Sequence, residues 1–245
     1  EDTTHLDLAL DPLEGTTICS KGGANSLSVI AVAEKDHFLH APDTYMNKIA
    51  VGAEAADAID LDATPTTNLK NIAKAKKCSV EELTVVILDR PRHEDLIREV
   101  RECGARIWMI GDGDVQAAIA TAMPETGVDV LMGVGGAPEG VIAAAALKCV
   151  GGNFQGRLIF RKEEEKVRAK KMGITDLNKV YLRDELARGE VMFCATGVTD
   201  GSMLRGVKFS RGMATTHSLV MRSKTGTIRF IETIHNLGKK SESSH

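Results

Sequence analysis

The sequence is poor in aromatic residues, which make up 4% of 245 residues. That scarcity argues against the stacking platforms that bind single-stranded nucleic acid. It also lacks an excess of either charge. A net charge of −3 gives no field that would draw the chain to nucleic acid or acidic membranes. The five cysteines, Cys19, Cys78, Cys103, Cys149 and Cys194, are odd in number and form no CxxC pair. This argues against both a disulfide framework and structural zinc, and it fits a reducing, cytoplasmic location. The first residues carry no signal-peptide pattern. The longest apolar run, around "VIAAAALKCV", is too short to cross a bilayer.

What is present suits a soluble α/β chain. Hydrophobic content of 43% is enough for a sizeable core. Three parts are expected. Residues 1–78 are β-rich, with strands at "LDLALD", "LSVIAVAE" and "MNKIAVG". "HFLHAP" is expected to pair with "LSVIAVAE" across Lys35-Asp36, and "TTNLKNIAKAKK" has helical spacing. Residues 79–150 alternate regularly. Ser79 with Glu82 gives a capping box. The strands "LTVVILD", "ARIWMI" and "VDVLMGV" are each followed by a helix, which predicts a parallel or mostly parallel sheet covered on both faces. Residues 151–245 are mixed: strands at "GRLIFR" and "VMFCATGV", a charged helix at "KEEEKVRAKKMG", a hairpin around Lys224-Thr225-Gly226, and a polar "KKSESSH" end expected to fray.

In such sheets ligands sit beyond the carboxyl ends of the strands. Those junctions read Asp89-Arg90-Pro91-Arg92-His93, then Gly111-Asp112-Gly113-Asp114, then Gly135-Gly136-Ala137-Pro138-Glu139. The first strand runs into "DPLEGTT", with Asp11, Glu14, Gly15 and Thr16. Several carboxylates without a nearby His or Cys suit a hard cation, Mg²⁺ or Mn²⁺. Arg90 and Arg92 are planar, permanently charged phosphate donors. Backbone N–H groups at Gly15-Thr16 can cradle phosphate oxygens. The chemistry indicated is metal-assisted phosphoester hydrolysis. Plainer readings stay open for single elements: Asp112-Gly113-Asp114 as a turn and N-cap, Arg90 and Arg92 as surface charge, Tyr45 and Trp108 as core or rim residues. His93, His217 and His235 stand alone. "GVGGAPEG" lacks the GxGxxG spacing of a dinucleotide loop.

"DPLEGTT" resembles the metal motif of the lithium-sensitive sugar and inositol phosphatases. With "GGANSLSVIAVAE", "HAPDTYMNKIAVG", "PRHEDLI", "DGDV" and "LMGVGGAPEGVIAAAALKC", the chain resembles class II fructose-1,6-bisphosphatases along nearly its whole length. The resemblance implies an α/β fold, a layered α/β/α/β/α arrangement with mixed sheets. It implies Mg²⁺- or Mn²⁺-dependent release of the 1-phosphate of fructose 1,6-bisphosphate. Some members also act on sedoheptulose 1,7-bisphosphate. By resemblance Asp11, Glu14 and Glu139 hold metal, and Thr16 with Glu14 is catalytic. Glu14, Gly15 and Thr16 lie on the scissile phosphate. Tyr45, Arg90, Pro91, Arg92, Asp112, Gly113, Asp114 and Gly136 hold the sugar and its second phosphate. A homo-oligomer, dimer or tetramer, is expected. The resemblance also implies several dozen further residues upstream of Glu1, carrying more metal ligands, and a longer loop between Arg161 and Lys162. The rivals are an inositol- or nucleotide-phosphate phosphatase, which Arg90-Pro91-Arg92 disfavours, and a catalytically silent sugar-phosphate-binding fragment.

Overall fold

The computed structural model describes residues 5–242. The strands are β1 (Leu6–Glu14), β2 (Leu27–Glu34), β3 (Tyr45–Val51), β4 (Thr84–Leu88), β5 (Arg106–Ile110) and β6 (Val130–Gly136). β7 (Asn153–Ile159), β8 (Val180–Leu182), β9 (Val191–Gly197), β10 (Lys208–Ser210), β11 (Met213–Arg222) and β12 (Thr227–Asn236) follow. The helices are α1 (Thr16–Ser20), α2 (Pro65–Lys76), α3 (Glu94–Glu102), α4 (Asp114–Ala120), α5 (Ala137–Val150), α6 (Glu163–Lys171), α7 (Arg183–Leu186) and α8 (Leu237–Glu242). Ser79 and Glu82 form the expected capping box around a single 3₁₀ turn, and β11 with β12 is the expected hairpin.

The strands form two sheets. The first is antiparallel throughout, in the order β1-β2-β9-β11-β10, with β12 also on β11. The second has the order β5-β4-β6-β3-β7-β8. Here the expectation of a mostly parallel sheet needs correction. Only β4 runs parallel to its neighbours β5 and β6, because α3 and α4 are crossover connections between them. β6 and β7 also run the same way, with α5 as crossover, but β3 is slotted between them in the opposite sense.

The "HFLHAP" pairing also fails. β2 has no free edge: Ile30 pairs with Leu10 on one side and Cys194 on the other. Phe38 instead makes an isolated bridge to Ala187.

α5 explains how the layers stack. A helix that is apolar all round belongs in an interior. Its Ile142, Ala145, Ala146 and Cys149 pack toward the first sheet, and Val141, Ala144 and Leu147 toward the second. Its run of alanines lets both sheets approach closely. α2 and α3 cover the far face of the second sheet through Leu69, Ile72 and Val100. Four of the five expected layers therefore stand among the described residues. The outer face of the first sheet carries Leu6, Leu8, Leu10, Ile30 and Met192, all exposed. α8 takes up the start of the polar "KKSESSH" segment, whose end lies outside the described residues.

β1 continues past the point where the sequence suggested a turn. Its register jumps between Asp11, opposite Val29, and Glu14, opposite Leu27. This bulge absorbs Pro12, which has no N–H for a regular ladder. It also aims Asp11 and Glu14 toward the end of the sheet.

Candidate active site

Both sheets deliver polar residues to one cleft of about 370 Å³. The first sheet and the start of α1 supply Asp11, Glu14, Gly15 and Thr16; the second sheet, with the loops and helices that follow its strands, supplies Tyr45, Arg90, Arg92, Asp112, Asp114, Gly136 and Glu139. Of the site residues implied by the resemblance, Pro91 and Gly113 do not line it. Pro91 opens the single 3₁₀ turn Pro91–His93 between the arginines, and Gly113 leads into α4. A larger cavity of about 480 Å³ lies between β1, the loop at Phe38 and α5, but its walls are more apolar. Its Asp7 is already engaged, accepting the N–H groups of His37 and Phe38. The paired cations and carboxylates are all in the smaller cleft.

Backbone donors stitch the "DPLEGTT" segment to the start of α4. Val115 N–H donates to Glu14 Oε1 at 3.1 Å, and Thr17 N–H to Asp112 Oδ2 at 3.3 Å. The Ser26 hydroxyl donates to the Glu14 carbonyl at 2.8 Å. Glu14 is thereby held buried, 2% exposed. Its second oxygen, Oε2, has no partner, and neither does Glu139 Oε2. Burial, then the neighbouring charge of Asp114, pushes the Glu14 carboxyl well above the usual carboxylate range. Burial also raises Glu139, with Lys48 acting against it. Buried carboxylate oxygens without partners are costly, and an oxygen-preferring divalent cation is the partner that would relieve them. The donor set therefore fits a hard divalent cation. Among the described residues, no three His, Cys, Asp or Glu side chains are already placed together to hold a metal ion.

The arginines are tethered by carbonyls at neighbouring strand ends. Arg90 donates to Asp89 O at 2.8 Å and Gly111 O at 2.7 Å. Arg92 donates through Nε and Nη2 to Val134 O at 3.1 and 2.7 Å. Its guanidinium also lies 4.8 Å from the Tyr45 ring centre. Two glycines make room for carboxylates. A β-carbon on Gly135 would fall on the Asp114 carboxylate, and one on Gly136 on that of Glu139.

Three residues beside the site were missed in the sequence. Arg161 stacks on Tyr45 at 4.2 Å. His93, read as isolated, is buried, with Nδ1 2.7 Å from Leu88 O and Nε2 accepting Val134 N–H at 2.8 Å. Lys48 is buried against Asp114. The last had a visible signal: Lys48 keeps the two-residue period of Met46 and Ala50, both fully buried, so its side chain points inward.

Comparison with known proteins agrees with this geometry. The sequence profile of the family described as "Bacterial fructose-1,6-bisphosphatase, glpX-encoded" matches residues 1–235. A D-fructose 1,6-bisphosphatase class 2/sedoheptulose 1,7-bisphosphatase of Synechococcus sp. (strain JA-3-3Ab) is 47% identical, covering 96% of this chain and 72% of the relative. The protein of the same description from Trichodesmium erythraeum (strain IMS101) is 46% identical, covering 98% of this chain and 73% of the relative.

Proposed function

The chain belongs to the bacterial, glpX-encoded fructose-1,6-bisphosphatase family, and we propose that its acidic cleft removes the 1-phosphate of fructose 1,6-bisphosphate. The protein is a phosphoric monoester hydrolase of carbohydrate metabolism. The observation that carries the reading is the pair of partnerless carboxylate oxygens, on Glu14 and Glu139, in the same cleft as two tethered arginines.

A bound Mg²⁺ or Mn²⁺ would supply charge neutralisation at the phosphate and lower the pKa of water. Asp11, Glu14 and Glu139 would hold it. The chain's own groups do the rest. Gly15, in the left-handed region, turns the backbone so that its N–H can face the scissile phosphate. The Thr16 hydroxyl, exposed at the first turn of α1, orients the attacking water. Arg90 and Arg92 bind the distal phosphate with charged donors whose freedom is already spent on the strand-end carbonyls. Pro91 fixes the spacing between them. Tyr45, Gly136, Asp112 and Asp114 line the sugar, and Gly113 turns the chain between the two carboxylates.

The cyanobacterial relatives' names favour a second substrate, sedoheptulose 1,7-bisphosphate. Phosphate release with Mn²⁺ from both bisphosphates and from inositol 1-phosphate tests the assignment. The bisphosphates are expected to be preferred; preference for the monophosphate overturns it. The reading extends to a cytoplasmic homo-oligomer. Exposed Phe209, Phe230 and Ile234 at one end of the first sheet support association. Among the described residues, no helix is long and apolar enough to cross a membrane.

A further inference from the structure

A buried cation behind the cleft has no part in the bisphosphatase reading. Lys48 lies on the inward face of β3, and 3% of its side chain is exposed. Its Nζ stands 2.7 Å from Asp114 Oδ2. Glycines flank it on both neighbouring strands. Its register partners are Gly133 on β6 and Gly156 on β7. A β-carbon on Gly135 would come within 3.0 Å of Nζ, and one on Gly140 within 3.5 Å of Cε. The bare backbone of Gly135 therefore leaves space for the ammonium and its single carboxylate partner. Burying an ammonium costs several kcal/mol unless a partner compensates it. A position so built is not an incidental surface ion pair.

The charge around it gives the reason. Asp11, Glu14, Asp112, Asp114 and Glu139 all line the cleft. Glu14 and Glu139 keep partnerless oxygens, whereas Asp114 has one oxygen occupied by Lys48. With that oxygen free, Asp114 would be one more hard ligand beside the other two. We propose that Lys48 is a positioning residue that withholds Asp114 from the metal-binding set and reserves it for the substrate. Lys48 holds Oδ2, leaving Oδ1 to accept a sugar hydroxyl. This rests on reading the cleft as a sugar-bisphosphate site.

The test counts metal as well as turnover. Mn²⁺ binding to the full chain is measured by titration calorimetry without substrate. Three proteins are compared: the parent, Lys48→Met, and Lys48→Met combined with Asp114→Asn. Freeing a carboxylate next to a divalent ion at an effective dielectric of about 20 should tighten Mn²⁺ binding by about tenfold or more, or add one ion per chain. The double variant should return to the parental isotherm, because the freed carboxylate is gone. In steady state Lys48→Met should raise KM for the bisphosphate by about tenfold, with kcat changed much less. If Lys48→Met does not fold, Lys48→Ala, which also releases Asp114 and leaves room for water, carries the same comparison. A folded variant with parental Mn²⁺ binding and parental KM overturns the role of Lys48. A parent that binds no Mn²⁺ overturns the bisphosphatase reading, and the role of Lys48 with it.

Discussion

At the scale of single residues, the site works by leaving things unmade. Glu14 spends Oε1 on Val115 N–H and keeps Oε2 buried and unpaired. Thr16 stays exposed beside it, one residue beyond a glycine in the left-handed region. A hydroxyl there has one function in the proposed reaction, to orient water. Thr16→Ala should therefore leave the melting curve unchanged and lower kcat by about a hundredfold, with KM within about twofold. Stopped-time phosphate release reads both constants, and near-normal turnover would remove Thr16 from the mechanism. Every carboxylate and cation of this reading except Lys48 was legible in the sequence, because strand ends in α/β sheets announce their ligands. Lys48 was passed over because a lone lysine in a strand resembles a solvated residue until the strand's inward face is known.

At the scale of elements, the same limit decided what could be read. β4, β5 and β6 with their crossover helices were legible, since apolar strands alternating with capped helices permit little else. The insertion of β3 between β6 and β7 was not, because no local pattern records which edge a strand joins. β4 and β6 share only the pairs Val85–Val130 and Val86–Leu131, and beyond them the strands part. His93 spans that gap. It is held by Leu88 O and Val134 N–H, on β4 and β6, as a neutral ring protonated at Nδ1. Burial holds its pKa below the ordinary 6.5, with the Leu88 carbonyl acting the other way. The unfolded chain thus takes up a proton that the folded chain refuses. The stability tied to His93 is full above about pH 6.5 and falls as the pH drops through that value. Urea midpoints should decline more steeply below about pH 6.5 for the parent than for His93→Asn. At about pH 8, where the parent's histidine is neutral in the folded and unfolded chain alike, the variant should be less stable by about 1–3 kcal/mol, because Val134 N–H loses its acceptor. Parallel pH profiles for the two proteins would remove the histidine from the account.

At the scale of the molecule, metal and fold are expected to be coupled. Asp11 and Glu14 come from the first sheet and Glu139 from α5, so a cation between them would tie two layers together. At a hundred times its dissociation constant, Mn²⁺ should add about 2.7 kcal/mol. For a chain of this length that corresponds to a rise in Tm of about 5–10 °C, reversed by EDTA. An unchanged melting curve would place the cation elsewhere or nowhere. The layering also bears on time. Ala33 pairs with Val191, so the chain builds the entire second sheet between two neighbouring strands of the first. Loop closure on that scale comes late, and contacts distant in sequence slow folding. On refolding, helical circular dichroism should recover before Mn²⁺ binding does; simultaneous recovery would contradict that order. A competent cleft would then certify that the last long-range pairing has closed, so catalytic activity would serve the molecule as a clock for its own completion.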